Sequence, residues 1–151
     1  MFVSLLKLSR FDILKELYGE IYIPKAVYKE IEKGKNKKYY QDLAKTNWIK
    51  IKTIQDKQAV KYFLDLDSGE AEAIVLASEI KVDLIIIDEK LGRFHARHAD
   101  LKTTETIGVL LKAKSEGLIK KVKPLLIELT KKDVWLSKRL IAEILEIAGE
   151  K

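Results

Sequence analysis

The sequence predicts an α/β fold of three layers, in which helices cover both faces of a mostly parallel central sheet. Strand-like segments alternate along the chain with segments of helical period, which is typical of parallel sheets with helical crossovers. Residues 84–87 form a continuous apolar run, as a strand buried on both faces requires. No linker, repeat or low-complexity stretch interrupts the chain, so we expect a single domain over residues 1–151.

The helices and strands follow from apolar periodicity and from the residues that begin and end helices. A short apolar start is followed by a helix that Gly19 ends, and Pro24 opens the next helix, which Gly34 ends. The Asp67-Ser68-Gly69 turn begins the helix that runs to Ile80. The predicted helices cover residues 11–18, 24–33, 38–45, 56–64, 68–80, 89–98, 106–115, 119–129 and 137–148. The predicted strands cover residues 21–23, 48–54, 83–87 and 101–103.

Composition narrows the classes of function. The chain has no cysteine, which excludes disulfides, thiolate zinc sites and cysteine nucleophiles and leaves oxygen or histidine as metal ligands. The net charge of +6 comes mostly from lysines spread along the chain, and it fits a phosphate-binding face and the solvated surface of a thermophile's protein equally well. No apolar run approaches the roughly 18 residues of a membrane helix, and no signal peptide is evident. We therefore expect a cytoplasmic protein with no membrane partner.

Carboxylates are the remaining candidates for chemistry. Asp88 follows the buried strand at its carboxyl end, where open α/β sheets place ligand sites, although it also fits an N-cap of the helix that begins at Glu89. Glu70 and Glu72 lie in the first turn of a helix, where the helix dipole alone favours acids. Since successive helix positions differ by about 100°, we expect at most one of the two to share a site with Asp88. Glu70 lies nearer than Glu72 to the helix start, and hence nearer to the crevice at the strand ends.

Glu30 lies on the helix after Pro24 and is either a ligand or a solvated side chain. Acids from several elements that converge on one cleft would form an all-oxygen site suited to Mg²⁺ or Mn²⁺, which activates water and stabilises the charge of a phosphodiester undergoing cleavage.

Two arginines and two histidines lie on the predicted helix after Asp88. Arg93 and Arg97 are four residues apart, so they share a face that either meets phosphate oxygens or is simply solvated. His95 and His98 have no third nitrogen or sulfur ligand nearby, which disfavours zinc. Phosphate-loop, dinucleotide-binding and serine-hydrolase motifs are absent from the sequence.

Four stretches in order resemble a prokaryotic branch of the PIN family: KLSRFDIL at 7–14, IPKAVYKE at 23–30, DSGEAEAI at 67–74 and LIIIDEKLGR at 84–93. TIGVLL at 106–111 and VKPLL at 122–126 extend the resemblance over nearly the whole chain. The resemblance implies a PIN-like α/β/α fold and a metal-dependent ribonuclease with a site of four carboxylates. It also implies RNA as substrate, a homodimer and, for many members, the toxin role in a toxin–antitoxin pair with an antitoxin partner.

Carried over by position, Glu30, Glu70 and Asp88 match the second, third and fourth acids of the family and are the expected catalytic residues and ligands of Mg²⁺ or Mn²⁺. The first aspartate of the family falls before Met1, and Asp12 does not replace it. Three explanations fit the missing aspartate: a start codon assigned too far downstream, a deletion that removed the strand, or a loss of catalysis. With three acids we expect weak Mn²⁺ binding and slow or no RNA cleavage. The alternative is a catalytically inactive PIN-like module that binds nucleic acid or a protein partner.

Overall fold

The computed structural model describes residues 10–38, 40–132 and 134–150. The predicted apolar start and the first nine positions of the chain lie outside the described residues. Helices alternate with short strands along the described part of the chain. The strands are β1 Ile21–Pro24, β2 Ile49–Lys52, β3 Ile85–Ile86 and β4 Thr103–Thr104. The helices are α1 Asp12–Tyr18, α2 Lys25–Glu32, α3 Ser68–Ile80, α4 Lys90–His98, α5 Thr106–Ser115, α6 Lys123–Lys131 and α7 Lys138–Ile147.

The strands pair in parallel, which confirms the predicted α/β class. β1 pairs with β2, with Ile21 opposite Ile49, and β3 pairs with β4. Within residues 10–38, 40–132 and 134–150 these pairs form two separate two-stranded sheets. Backbone hydrogen bonding extends one residue beyond β3, because Ile87 donates its N–H to the carbonyl of Thr104 at 2.8 Å.

The apolar core consists of a large cluster and smaller ones. The large cluster joins β1 and β2 to helices α1, α5, α6 and α7, with Ile23 and Leu110 completely buried. A smaller cluster joins α3, β3 and α4 through Ile74, Ile87 and Ala96. Ile87 is 1% exposed, so the backbone immediately before Asp88 is fixed by packing.

Two predicted helices are much shorter than expected. Among their described residues, the segments at 38–45 and 56–64 contain only 3₁₀ turns, Leu43–Lys45 and Ala59–Tyr62. In each segment an aspartate side chain accepts hydrogen bonds from backbone N–H groups just after it, Asp42 from Ala44 and Asp56 from Gln58 and Ala59. Such local bonds satisfy the backbone without a longer helix, which explains the difference.

The helix ends follow the expected chemistry. Gly19 ends α1 with a φ of 74°, a left-handed conformation that glycine adopts without a steric penalty. Ser137 caps α7 by accepting a hydrogen bond from the N–H of Leu140 at 3.0 Å. Pro24 precedes α2 as its N-cap residue instead of being its first helical residue.

Candidate active site

The three acids selected from the sequence line one cleft. The cleft has a volume of about 320 Å³ and is also lined by two further acids, Asp67 and Glu89. Its remaining walls are Val27, Ile31, Gly69, Ala73 and Ile87. Glu30 comes from α2, Glu70 from α3 and Asp88 from the end of β3, so three elements deliver carboxylates to the same space. The structure therefore brings Glu30, Glu70 and Asp88 together, and their catalytic role stays a prediction.

Glu30 reaches the cleft where α2 approaches α3 closely. A β-carbon at Gly69 would lie 3.3 Å from Oε2 of Glu30 and 3.3 Å from Cγ2 of Val27. Such contacts are tighter than almost all real side-chain contacts of this kind. Glycine at position 69 thus allows the carboxylate of Glu30 to lie directly against the first turn of α3.

Glu70 lies in the first turn of α3, whose N-cap is Asp67. The carboxylate of Asp67 accepts a hydrogen bond from the N–H of Glu70 at 2.8 Å, which is one of the two bonds of a capping box. The side chain of Glu70 is half-buried. Burial, and then the negative charges of Asp67 and Glu89, raise the pKa of Glu70 to about 6. The cleft therefore concentrates negative charge, as a cation site requires.

Glu72 points elsewhere, as the angle between successive helix positions predicts. Its Oε1 accepts a hydrogen bond from the N–H of Ala26 at 3.2 Å, at the start of α2, and it does not line the cleft. The choice of Glu70 as the acid near Asp88 therefore agrees with the geometry of the described residues.

Asp88 is held by the start of α5. Its Oδ1 accepts a hydrogen bond from the N–H of Thr106 at 2.7 Å, and its Oδ2 accepts one from the hydroxyl of the same residue at 2.9 Å. Thr106 is 4% exposed. Asp88 thus caps α5, whereas α4 has Glu89 at its N-cap position and no side-chain cap bond is found there. The alternative that Asp88 caps the helix following it does not match the structure.

Thr106 was not identified from the sequence as part of the site. It is a hydroxyl residue at the first position of a predicted helix, which is the only signal that the sequence carries for this role. The contact with Asp88 spans 18 residues, so it depends on how α5 packs beside β3.

The two arginines of α4 are engaged within the chain. Nη1 of Arg93 donates to the carbonyls of Ile87 and Asp88, and its Nε lies 3.6 Å from the carboxylate of Glu105. Nε of Arg97, an exposed residue, donates to the hydroxyl of Thr103 at 3.3 Å. Arg93 therefore braces the end of β3, and Arg97 has the more accessible guanidinium.

The histidines of α4 pair with groups outside the cleft. Nε2 of His95 lies 2.9 Å from the carboxylate of Asp65, and Nδ1 of His98 lies 3.0 Å from the carbonyl of Phe94. Neither histidine lines the cleft.

The donor set of the cleft fits a hard divalent cation. Its ionisable groups are carboxylates, and oxygen ligands are those that Mg²⁺ and Mn²⁺ prefer. As the side chains of the described residues are placed, no three Asp, Glu or His groups are near enough to hold an ion together. Metal binding would thus require the carboxylates to move inward. Burial raises the pKa of Glu70 most, and a cation would offset the negative charges of Asp67 and Glu89 that add to this rise.

Comparisons with known proteins identify the family. A family model described as a PIN domain matches residues 1–150. Searches among curated proteins and among solved structures gave no match. The family match covers nearly the whole chain and agrees with the alternation of helices and parallel strands. The chain belongs to the PIN-domain family.

Proposed function

We propose that the chain is a Mg²⁺- or Mn²⁺-dependent ribonuclease of the PIN type that hydrolyses RNA phosphodiester bonds. The observation that carries the proposal is the convergence of Glu30, Glu70 and Asp88, from three different elements, on one cleft. Membership of the PIN-domain family supports the same chemistry. We assign the three carboxylates as metal ligands and as groups that orient the attacking water.

Each carboxylate contributes differently because its surroundings differ. A bound divalent ion supplies a Lewis acid and lowers the pKa of water. Both oxygens of Asp88 are fixed by Thr106, so Asp88 is the most rigid of the three. Glu30 is exposed and adjusts most easily to substrate. Glu70, with a pKa near 6, is the carboxylate whose ionisation depends most on a nearby positive charge.

The proposed substrate is RNA, and the proposed phosphate-binding residues are Arg93 and Arg97. Arg97 is exposed and is therefore the better placed for direct contact, whereas Arg93 acts by fixing the backbone of Asp88. The net charge of +6 favours a polyanionic partner.

The biological setting is proposed from the family alone. We propose a toxin of a toxin–antitoxin pair, with an antitoxin protein as partner, a homodimeric state and a cytoplasmic location. In the part of the chain that the structure describes, no helix is both long enough and apolar enough to span a membrane.

The alternative function is a PIN-like module that binds nucleic acid or protein without cutting RNA. One observation favours it: no three acids or histidines among residues 10–38, 40–132 and 134–150 are close enough to hold a metal in their present positions.

Asp88→Asn separates the two functions. Asparagine keeps an oxygen that accepts the N–H of Thr106, and its amide can donate to the threonine hydroxyl, so we expect a loss of stability of about 1 kcal/mol or less. It lacks the charge that a divalent ion needs. We expect wild-type protein to bind Mn²⁺ weakly in calorimetry and to cut a single-stranded RNA slowly and only with Mn²⁺, and Asp88→Asn to do neither.

Asp83→Asn is the matched control, because Asp83 is exposed and precedes the same strand. It should bind Mn²⁺ and cut RNA like the wild type. Cleavage that is unchanged in Asp88→Asn would refute the carboxylate mechanism. RNA binding without Mn²⁺-dependent cleavage in the wild type would establish the alternative.

A further inference from the structure

The start of α2 is capped by a side chain from another helix. Pro24, its N-cap residue, provides no side-chain cap, and the N–H of Ala26 donates instead to Oε1 of Glu72 at 3.2 Å. The two residues are 46 positions apart in the chain. Since the first N–H groups of a helix have no partner within it, this carboxylate satisfies a group that would otherwise need water.

The same contact lies on the face of α2 that carries a candidate metal ligand. Ala26 and Glu30 are four residues apart, so they lie on one side of the helix, one turn from each other. On α3, Glu72 and Gly69 are three residues apart and share a face in the same way. Glu72 contacts Ala26, and Gly69 lies beside Glu30, so the two helices pack side by side in opposite directions.

Two contacts therefore fix the position of α2 against α3. The hydrogen bond from Ala26 to Glu72 sets the position of α2 along α3, and the close approach at Gly69 sets the separation near Glu30. α2 has eight residues, of which Ile31 is buried, and Val27 and Tyr28 are partly buried against the large apolar cluster. Apolar packing holds α2 against the core, and the directional hydrogen bond from Ala26 to Glu72 adds a defined position along α3.

We propose that Glu72 is a positioning residue of the carboxylate cleft: by capping α2 it holds Glu30 where that carboxylate faces Glu70 and Asp88. This inference rests on the proposed metal-dependent function. Glu72 touches neither the ion nor RNA and acts only through α2. Residues that orient metal ligands without touching the ion change metal affinity about 10- to 100-fold in other proteins, so the proposal makes the cap a determinant of metal affinity.

Three variants of the full-length chain test the proposal by calorimetric titration with Mn²⁺. Glu72→Ala removes the acceptor, and we expect the affinity to fall about 10- to 100-fold, as for other residues that support metal ligands indirectly. Glu72→Gln loses the same charge but keeps an oxygen for the N–H of Ala26, and we expect its affinity to stay close to that of the wild type.

Glu79→Ala is the matched control. Glu79 lies on the same helix, and its carboxylate accepts hydrogen bonds from the backbone N–H groups of Gln55 and Asp56, both at 2.9 Å, outside the cleft. This variant loses equivalent bonds from α3 to another segment, so it should lose stability without losing Mn²⁺ affinity. Melting temperatures of all variants show which measurements are made on folded protein.

A second readout needs no metal. The carboxyl ¹³C resonance of Glu30 in metal-free protein should shift in Glu72→Ala and stay in place in Glu72→Gln and Glu79→Ala. If Glu72→Gln weakens Mn²⁺ binding as much as Glu72→Ala, charge and not position is responsible and the inference is wrong. It is equally wrong if Glu72→Ala matches Glu79→Ala in affinity and in the Glu30 resonance.

Failure of the proposed function has a different signature. A wild-type chain that binds no Mn²⁺ would refute the proposed function. In that case a Glu30 resonance that shifts only in Glu72→Ala would still support the positioning contact, and an unchanged resonance would overturn it.

Discussion

Glu70→Gln removes a carboxylate whose ionised form is disfavoured by its surroundings. Glu70 is half-buried, and burial, followed by the negative charges of Asp67 and Glu89, raises its pKa from 4.5 to about 6. Glutamine has nearly the same shape and carries no charge. The substitution should therefore remove an unfavourable interaction at neutral pH and remove a metal ligand at the same time.

The sign and size follow from proton linkage. Between pH 4.5 and about 6 the folded state binds more protons at Glu70 than the unfolded state, so the free energy of unfolding falls as the pH rises through this range. A rise in pKa of this size is equivalent to about 2 kcal/mol, and solvent screening of a half-buried group reduces it to about 1 kcal/mol. We expect Glu70→Gln to be more stable than the wild type by about 1 kcal/mol above pH 7 and equally stable near pH 4.

Urea denaturation of metal-free protein at both pH values measures the difference. Glu16→Gln, at an exposed position of α1, is the control for the general effect of removing one acid from a basic chain. Adding Mn²⁺ should then stabilise the wild type by mass action and leave Glu70→Gln unchanged. A variant that is less stable than the wild type above pH 7, or that gains equally at both pH values, would refute the reasoning about Glu70.

Two further substitutions test the packing around the cleft and the attachment of the chain's end. Gly92→Ala should lower the free energy of unfolding by about 1 to 3 kcal/mol, measured by thermal or urea unfolding. The added β-carbon would lie 2.6 Å from Cδ1 of Ile87, a residue that is 1% exposed. An unchanged stability would show that this contact relaxes freely. Glu150→Gln should reduce the stability that the protein loses in acid. Burial alone would raise the pKa of Glu150, but hydrogen bonds from the N–H of Val122 and from Lys114 lower it to about 2. The wild type therefore loses this stabilisation as the pH falls from 4.5 to about 2. An acid transition that is identical in wild type and variant would contradict this account.

Local pattern indicated the elements that carry the three acids, and the resemblance to the PIN family selected the acids themselves. A buried apolar run ends at Asp88, the Asp67 turn begins the helix of Glu70, and Pro24 begins that of Glu30. Strand ends and helix starts of α/β units lie at the same edge of the fold, which brings Asp88 and Glu70 near each other. Glu30 lies near the end of α2 and reaches the same cleft because α2 packs antiparallel to α3. The helix at 106–115 has the predicted bounds because its apolar period is uninterrupted.

The hydrogen-bond partners of these acids were beyond prediction from the sequence. Asp88 bonds to Thr106, and Glu72 bonds to Ala26, across 18 and 46 residues respectively. Each acid follows the rule that a carboxylate near a helix start caps N–H groups, but the helix that it caps is a neighbour in space and not in sequence. Arg93 likewise binds carbonyls at the end of β3, a contact that helical spacing does not reveal.

Two glycines show how close packing at and beside the cleft is built into the helix backbone. Gly69 and Gly92 lie in the first turns of α3 and α4, where alanine would favour the helix by about 0.5 to 1 kcal/mol. Neither has the positive φ that only glycine tolerates well, so conformational freedom does not explain them. A β-carbon at Gly69 would lie 3.3 Å from Oε2 of Glu30, and a β-carbon at Gly92 would lie 2.6 Å from Cδ1 of Ile87.

Gly69 therefore gives up helix stability where the carboxylate of Glu30 lies against α3, and Gly92 gives it up where the buried side chain of Ile87 lies against α4. Gly69 lines the cleft, and Ile87 immediately precedes Asp88, so both glycines support the positions of acids in the cleft. The glycine of DSGEAEAI is thus a steric signal for the cleft, because the carboxylate of Glu30 approaches α3 closely where the helix surface lacks a side chain. The glycine of LIIIDEKLGR is a steric signal for the packing of Ile87, which fixes the backbone immediately before Asp88.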